Sequence, residues 1–170
     1  AAFPAGLFWL LNLLDTKIHS RRDIEQSLSI PFLGDIPQNG DKPRKGSPER
    51  QIVVRESGRD SVSEAFRIIR TNMDFMRVKS PNLQVVMFTS TNPGAGKTFV
   101  SSNLAMSIAQ MNKRVVIMDV DIRKGTLSGL FSNPGGRMGL TNYLSGRTDS
   151  VDDIVGPCSE YGKLDVIFAG

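Results

Sequence analysis

The chain has 170 residues, of which 39% are hydrophobic and 22% charged, a composition that fits a globular domain and excludes a disordered chain. Its net charge of +4 comes from 21 Lys and Arg among 17 Asp and Glu, which gives little support for nucleic acid as a partner. Cys158 is the only cysteine, so the sequence excludes an internal disulfide and a cysteine-based metal cluster, and it indicates a reducing compartment.

The first 14 residues, AAFPAGLFWLLNLL, are mostly apolar. They are too few to span a bilayer, which takes about 20 residues. The basic residues Lys17, His19, Arg21 and Arg22 follow at once, as they do on the cytoplasmic side of a membrane helix. We therefore expect residues 1–14 to be the end of a transmembrane helix, and an apolar helix packed on the core is the alternative.

A juxtamembrane segment and linker are predicted over residues 15–50. Within this segment, Ser20 indicates the start of a short helix that Pro31 closes. Residues 38–51, QNGDKPRKGSPERQ, contain no apolar side chain, so they cannot contribute to a core. We place the domain boundary here and expect one further domain over residues 51–170.

A second helix is predicted from Ser61, where the sequence SVSE forms a capping box with Glu64. Apolar residues recur at helical spacing, so one face of this helix packs inward. The residues of that face are Val62, Phe66, Ile69, Met73 and Met76. Glu64, Arg67 and Arg70 are spaced by three and project within one arc of the other side. Their spacing alone indicates a solvated face with a weak ion pair.

Beyond Pro81 the hydrophobic pattern alternates between strands and helices. The predicted elements are a strand at LQVVMFTS (83–90), a helix over 97–112 with Val100, Leu104, Ile108 and Met111 on one stripe, and a strand at RVVIMDVD (114–121). GLTNYLSG predicts a short helix that Gly146 ends, and LDVIFAG predicts a further strand. Apolar strands joined through a helix are typical of a parallel sheet, so we predict an α/β fold with helices flanking that sheet.

The loop TSTNPGAGKTFVSS lies between the first of these strands and its helix, where an open α/β sheet binds ligands. It matches the phosphate-binding pattern G-x-x-x-x-G-K-[ST], except that Thr91 stands at the first glycine. Gly94 and Gly96 let the backbone approach an anion. Lys97 can reach the β- and γ-phosphates, and the Thr98 hydroxyl can ligate Mg²⁺. The predicted fold is therefore a P-loop NTPase-like sheet.

Two carboxylates, Asp119 and Asp121, end the next predicted strand and face the same side of it. Strand order places them near the phosphate loop, and two carboxylates beside a triphosphate require a cation, so Mg²⁺ is predicted. The predicted metal ligands are Thr98, Asp119 and Asp121. The residues predicted to bind the nucleotide are Asn92, Pro93, Gly94, Ala95, Gly96, Lys97, Thr98, Phe99 and Arg123.

The motifs TNPGAGKT and DVDIR resemble the Walker A and Walker A′ motifs of the bacterial tyrosine kinases that regulate capsular and exopolysaccharide export. LLDTKIHSRRDIEQSLSIPFLGDIP is similar to that family's segment after its second transmembrane helix. SVSEAFRIIRTNM carries Glu64, Arg67 and Arg70 at the spacing of the family's ring-forming motif, and GLTNYLSG also resembles the family. The likeness covers essentially the whole chain.

This resemblance implies a protein-tyrosine kinase that uses ATP and Mg²⁺ to phosphorylate its own tyrosine-rich tail. Lys97, Asp119 and Asp121 would be its catalytic residues. The implied partners are further copies of the chain in a ring, joined through the three charged residues of the second helix, with the tail of a neighbouring subunit in the site. The polysaccharide export machinery and a cognate phosphatase are also implied, and nucleic acid is not. The kinase domain would lie on the cytoplasmic side of the bacterial inner membrane.

Two features depart from related families. Asn92 stands where partition-type ATPases carry a signature lysine, which argues against a partition-like ATPase that hydrolyses ATP to water. The Walker B strand and tyrosine-rich tail of the kinases are not found in these 170 residues, so the resemblance implies that this chain alone is not a competent kinase. A non-catalytic regulator of polysaccharide chain length is the other alternative, which the intact Lys97 and Thr98 disfavour.

Overall fold

The computed structural model describes residues 21–38, 52–55, 58–131, 136–158 and 162–170. Contacts between Cα atoms divide the chain into two compact units, residues 1–33 and 34–170. The expected membrane-helix end at residues 1–14 and the expected boundary after residue 50 both lie outside the described residues. Within the ranges that are described, no helix combines the length and apolar character that crossing a membrane requires.

The first unit contains the predicted short helix, α1 (Arg21–Ser27), none of whose residues is buried. Arg21 Nε lies 2.6 Å from Glu25 Oε1, one helical turn away. The guanidinium of the same arginine lies 5.2 Å from the centre of the Phe32 ring. Exposed pairs of this kind stabilise a helix by a few tenths of a kcal/mol, so α1 depends little on core packing.

The second unit begins its regular structure with α2 (Ser61–Lys79). The helix starts where the sequence predicted, but the predicted capping residue is wrong by one position. Asp60 is the N-cap, and its carboxylate accepts from Ser63 N at 2.8 Å and from Ser63 Oγ at 2.7 Å. The two oxygens of the Asp60 carboxylate each accept one of the Ser63 donors, and Glu64 pairs with Arg67 instead.

The cap makes the stability of this unit depend on pH. The pKa of Asp60 is lowered from its ordinary value of 3.8, first by the hydrogen bond from the Ser63 side chain and then by the bond from the Ser63 backbone. Because the folded-state pKa lies below the unfolded one, the stabilisation is present above pH 3.8 and is lost as pH falls through the folded pKa. We expect Asp60→Ala to lower the free energy of unfolding by about 1 kcal/mol at pH 7.

Urea unfolding at pH 7 and at pH 3 measures this effect. Asp60→Asn is the matched control, because asparagine also caps helices but does not titrate. It should unfold close to the parent chain at pH 7 while losing less stability than the parent between the two pH values. A parent chain and an asparagine variant with the same pH dependence would contradict the role given to the Asp60 carboxylate.

The inward face of α2 is confirmed over its first half. Val62, Phe66 and Ile69 are buried, and Phe66 is fully so, at 0% exposure. Its ring centre lies 6.0 Å from that of Phe99 on the next helix, with the rings tilted by 59°. Met76, further along the same predicted face, is exposed, so the packed part of α2 ends before it.

In the described part of the second unit the sheet has three strands, β1 (Val115–Met118), β2 (Val155–Pro157) and β3 (Leu164–Ile167), in the order β1-β3-β2. β1 and β3 are parallel, with Val115 opposite Leu164 and Met118 opposite Ile167. β2, which the sequence pattern did not predict, pairs with β3 in the antiparallel sense. The α/β class is confirmed, and this short added strand makes the sheet mixed.

The strand predicted at residues 83–90 is wrong. This segment has no regular secondary structure, and Val85 and Met87 are 85% and 84% exposed. A strand forms only where its backbone N–H and C=O groups find a partner strand, and none of the three described strands pairs with this segment. The apolar, β-branched residues of this segment therefore indicated a propensity for strand, but propensity alone does not provide a partner strand.

Helix α3 (Lys97–Ala109) contacts both α2 and the sheet. Only Leu104 of its predicted stripe is buried, because a helix covered on two sides has no single apolar face. Its buried residues are Ser102, Asn103, Leu104, Ala105, Ser107 and Ala109. The polar ones are satisfied internally: Ser102 Oγ donates to Thr98 O at 2.6 Å, and Asn103 Oδ1 accepts from Val53 N at 2.8 Å. The asparagine thereby holds the segment before α2 against α3.

The remaining elements close the carboxyl end of the sheet. A 3₁₀ turn spans Thr126–Gly129, helix α4 spans Leu140–Leu144, and a second 3₁₀ turn spans Val151–Asp153. Gly146 has a φ of +71° just after α4, which confirms that it ends the predicted helix. The hydrophobic core includes Ile117 of β1, Leu164 of β3 and Phe131.

Candidate functional site

The phosphate-binding sequence forms an open loop that runs into α3. Gly94 and Gly96 have φ angles of +80° and +93°, which residues with a Cβ adopt only under strain. An ideal Cβ built at either glycine would meet no atom within 4 Å. The backbone conformation therefore requires glycine here, and the space in front of the loop is open to a ligand.

Gly96 is the N-cap of α3, so no capping side chain is available for the first amides of that helix. Unpaired amides and the helix dipole together attract an anion. Lys97, the first residue of α3, donates from Nζ to Ser90 Oγ at 2.8 Å, and Ser90 Oγ donates to Asn92 O at 2.8 Å. The ammonium group is thus held along the loop. Ser90 is a site residue that the sequence analysis missed.

The hydroxyl of Thr98 lies 3.0 Å from the hydroxyl of Thr126, which begins the 3₁₀ turn after β1. The next residue of that turn, Leu127, donates its N–H to Asp119 Oδ2 at 2.9 Å. These two contacts bring the start of α3 and the carboxyl end of β1 together, as the sequence predicted. Thr126 had not been singled out, because nothing in its sequence position marks it as a neighbour of the loop.

The two predicted aspartates have different surroundings. Asp119 is 5% exposed, and its second oxygen, Oδ1, accepts from Asp121 N at 3.1 Å. Asp121 is exposed and accepts from Lys124 N at 3.2 Å, a long bond. Asp119 therefore organises the turn that follows β1, while the carboxylate of Asp121 remains accessible to solvent and ligand.

This difference predicts unequal effects of removing the two charges. In Asp119→Asn the amide group replaces one carboxylate oxygen and leaves a buried backbone N–H without its acceptor. We expect the free energy of unfolding to fall by about 1–3 kcal/mol. Asp121→Asn, on an exposed side chain, is the matched control and should change it by less than about 0.5 kcal/mol. Urea unfolding of both variants measures this, and equal losses would contradict the separation of roles.

The other predicted nucleotide ligands fall into two groups. Asn92, Pro93 and Ala95 lie on the exposed loop beside the two glycines. The Phe99 ring packs against Phe66 in the core, so this residue can offer a nucleotide only its backbone. Arg123 is exposed on the turn that Asp119 holds in place.

The charged residues of α2 are engaged within the subunit. Arg67 Nη1 lies 2.8 Å from Glu64 Oε2, and its Nη2 donates to Gly58 O at 2.5 Å. Arg70 Nη1 donates to the backbone oxygen of Ser107 at 2.6 Å and to its hydroxyl at 3.0 Å, which ties α2 to α3. The spacing of these three residues thus allows an ion pair between Glu64 and Arg67 and a contact between α2 and α3 through Arg70.

Oxygen donors suited to Mg²⁺ are present around the loop. Thr98 offers a hydroxyl, Asp121 an exposed carboxylate and Asp119 a buried one. Among the described residues, no three His, Cys, Asp or Glu side chains form a group that could enclose a metal ion. This donor set fits Mg²⁺, which commonly takes one or two protein oxygens and completes its shell with water and phosphate.

Comparison with known proteins gives consistent results. The family model described as the CobQ/CobB/MinD/ParA nucleotide binding domain matches residues 86–145, which contain the loop, α3, β1 and α4. The chain is 38% identical over 113 residues to the tyrosine-protein kinase etk of Escherichia coli strain K12, a match covering 65% of this chain and 15% of that protein. It is 40% identical over 91 residues to the tyrosine-protein kinase CpsD of Streptococcus agalactiae, covering 54% of this chain and 38% of that one.

Comparison of the fold with solved structures indicates a similarity to the same kinases. The solved kinase domain of the Escherichia coli tyrosine kinase ETK matches with a TM-score of 0.75 at 29% identity, covering 91% of this chain and 61% of that domain. The chain thus spans well under half of the two relatives and about three fifths of the solved domain.

Proposed function

We propose that this chain, which is similar to bacterial tyrosine-protein kinases, is part of the kinase domain of an enzyme that transfers the γ-phosphoryl group of ATP to tyrosine hydroxyls. The observation that carries this proposal is the loop before α3, where two left-handed glycines and an uncapped helix start stand beside Lys97. The enzyme's substrates include its own tyrosine-rich tail, and its role is to regulate the polymerisation and export of a capsular or exopolysaccharide.

Phosphoryl transfer needs alignment and charge stabilisation more than covalent help from the protein. We assign the loop amides from Gly94 to Thr98 to the phosphate oxygens. Lys97 stabilises charge that develops between the β- and γ-phosphates, and its contact with Ser90 presets its position before ATP arrives. The exposed Asp121 orients or accepts the tyrosine proton, because Asp119 is buried and cannot meet an incoming hydroxyl.

Mg²⁺ would be held by Thr98 and the two aspartates, and when bound it would supply positive charge to the phosphates. The chain's own contribution is to hold those oxygens in place. The Thr98 hydroxyl is kept near the end of β1 by its contact with Thr126, and the turn from Asp121 to Leu127 is fixed by Asp119. Arg123 on that turn is available to a phosphate oxygen or to the incoming substrate.

The exposed edge of α2 is the proposed contact between subunits of a ring. Glu64 is exposed there, and Arg67 is about one third exposed, so both can exchange their internal partners for those of a neighbouring copy. Arg70 differs, because its bonds to the buried Ser107 fix it within the subunit. In the assembled enzyme, the tail of one subunit would enter the site of the next.

Removing the two exposed charges tests the ring. We expect the double variant Glu64→Ala, Arg67→Ala of a protein with the complete kinase domain to be smaller by multi-angle light scattering and to lose phosphorylation between subunits, while its ATP affinity stays within about twofold. Arg70→Ala is compared separately, since it also weakens the contact between α2 and α3. An unchanged molecular mass for the double variant would count against this interface.

The membrane, the export machinery and a cognate phosphatase are the further partners we propose, with the kinase domain on the cytoplasmic face of the bacterial inner membrane. The basic residues that follow the apolar start of the chain support this placement.

The direct experiment is phosphotyrosine mass spectrometry on a protein that includes the complete kinase domain and tail, incubated with ATP and Mg²⁺. Phosphate on tyrosine supports the kinase and locates its targets. Release of free phosphate without modified tyrosine would favour a partition-like ATPase instead. No nucleotide-dependent product of either kind would favour a non-catalytic chain-length regulator.

A further inference from the structure

A cavity of about 780 Å³ lies at the carboxyl ends of β1 and β3, and none of the residues of the phosphate loop lines it. Four cationic side chains line it: Arg123, Lys124, Arg137 and Arg147. Its lining contains no Asp or Glu among the described residues. Phe168, Met138 and Ile122 add apolar surface. A cavity of this composition favours a ligand with anionic groups around an apolar centre.

The cavity is built by ordered backbone contacts. Leu140 N donates to Phe168 O at 2.8 Å and Thr141 N donates to Ala169 O at 2.9 Å, so the start of α4 is fixed to the end of β3. This attachment sets the position of Arg147, which follows α4. The guanidinium of Arg137 lies over Gly156 of β2, where an added Cβ would come within 2.6 Å of Nη1. Gly156 therefore leaves room for that cation.

One turn separates the cavity from the phosphate loop. The backbone of this turn is closed by Gly125 N donating to Asp121 O at 2.9 Å. Residues 122–125 line the cavity, while Thr126, next along the chain, contacts Thr98 of the loop. The lining of the cavity thus begins at the residue after Asp121, the carboxylate to which we assign the tyrosine proton.

We propose that this cavity binds the acceptor peptide and selects tyrosines that have acidic residues on either side. The inference rests on the proposed kinase function and extends it to the choice of substrate. The apolar surface suits a phenol ring, and Arg137 and Arg147 suit carboxylates of the flanking residues, which arginine binds through paired N–H donors. Its volume exceeds what a single phosphate needs, and its lining begins at Ile122, the residue after Asp121.

The test is fluorescence anisotropy with the 170-residue chain and a fluorescein-labelled peptide that carries one tyrosine between Asp and Glu residues, without ATP. A peptide with Asn and Gln at the same positions is the matched ligand. We expect Arg137→Gln and Arg147→Gln each to weaken binding of the acidic peptide about tenfold and to leave binding of the amide peptide unchanged. Gly156→Ala should weaken it by a smaller factor, because it displaces Arg137 without changing the net charge.

Lys163→Gln is the control for overall charge, since this exposed cation lies just before β3, at the end of the strand away from the cavity. It should bind the acidic peptide as the parent chain does. Equal affinity for the acidic and amide peptides, or equal losses in the Arg147 and Lys163 variants, would overturn the proposal. Tighter binding of a phosphotyrosine peptide without acidic flanks would also overturn it, because the occupant would then be the product.

The two proposals fail separately. Lys97→Met should bind the acidic peptide normally, because Lys97 does not line the cavity. If the protein selects peptides by charge but never phosphorylates tyrosine, the proposed peptide site stands and the proposed kinase function is refuted. If the protein phosphorylates tyrosine regardless of flanking charge and does not bind the peptide, the proposed kinase function stands and the proposed peptide selection is refuted.

Discussion

Replacing Lys97 with methionine should lower the rate of tyrosine phosphorylation about 10²- to 10³-fold, the loss seen when a preorganised charge-stabilising group is removed from an active site. The structure gives the reason in its contacts. Lys97 begins α3 beside the two left-handed glycines, and Ser90 holds its ammonium group along the loop. A methionine has similar length but cannot donate to the phosphate oxygens. Quantitative phosphotyrosine mass spectrometry on a protein with the complete kinase domain measures the effect.

The controls separate chemistry from folding. The Lys97 ammonium bonds only to Ser90 in the described part of the chain, so the methionine variant should unfold in urea within about 1 kcal/mol of the parent. Lys113→Met removes an exposed cation that lies outside both the phosphate loop and the cavity, and it should keep most autophosphorylation. Ser90→Ala leaves the ammonium present but less well placed, and we expect an intermediate rate. A methionine variant with normal turnover would refute the assignment of Lys97.

Phe66→Ala should produce the largest loss of stability, about 3–5 kcal/mol. Phe66 is fully buried where α2 meets α3, and its ring lies against Phe99, which directly follows Thr98 of the phosphate loop. Truncation loses the transfer free energy of the ring and leaves a cavity that the two helices cannot fully close. Chemical denaturation, followed by circular dichroism at 222 nm, measures the change.

Phe75→Ala is the matched control, because it makes the same substitution on the same helix at a side chain that is 68% exposed. Its effect should stay within about 0.5 kcal/mol. Similar losses for the two variants would contradict the role of α2 packing on α3, because alanine is the better helix former and helix propensity alone would not lower stability. If Phe66→Ala proves too unstable to purify, Phe66→Leu keeps most of the volume and should give a smaller, measurable loss.

The sequence patterns predicted the helices and the phosphate loop well, because the residues that specify these elements lie close together in the chain. The glycines, the lysine and the following hydroxyl residue stand within a few positions of one another, and the structure places them as a loop entering α3. The strand at residues 83–90 was predicted on the same kind of evidence and is wrong. A strand depends on a partner elsewhere in the chain, and that dependence leaves no mark in its own residues.

The same distinction applies to the site. Asp119 and Asp121 were predicted as an equivalent pair, because residues two apart on a strand face the same side. In the structure Asp119 is buried and accepts from two backbone donors, whereas Asp121 is exposed. Thr126 was missed because its contact with Thr98 joins positions 28 residues apart. Contacts of this kind between hydroxyls have no periodicity or motif to detect, so only the folded chain could reveal them.

The unpaired edge of the sheet affects how this chain behaves at high concentration. Among the described strands, β1 has a neighbour on one side only, and the apolar segment that carries Val85 and Met87 is open to solvent. Unpaired strand edges and exposed apolar runs template pairing between chains, which leads to aggregation. Ring assembly should therefore be measured at several protein concentrations, because a closed ring reaches a fixed mass whereas edge-to-edge aggregates continue to grow.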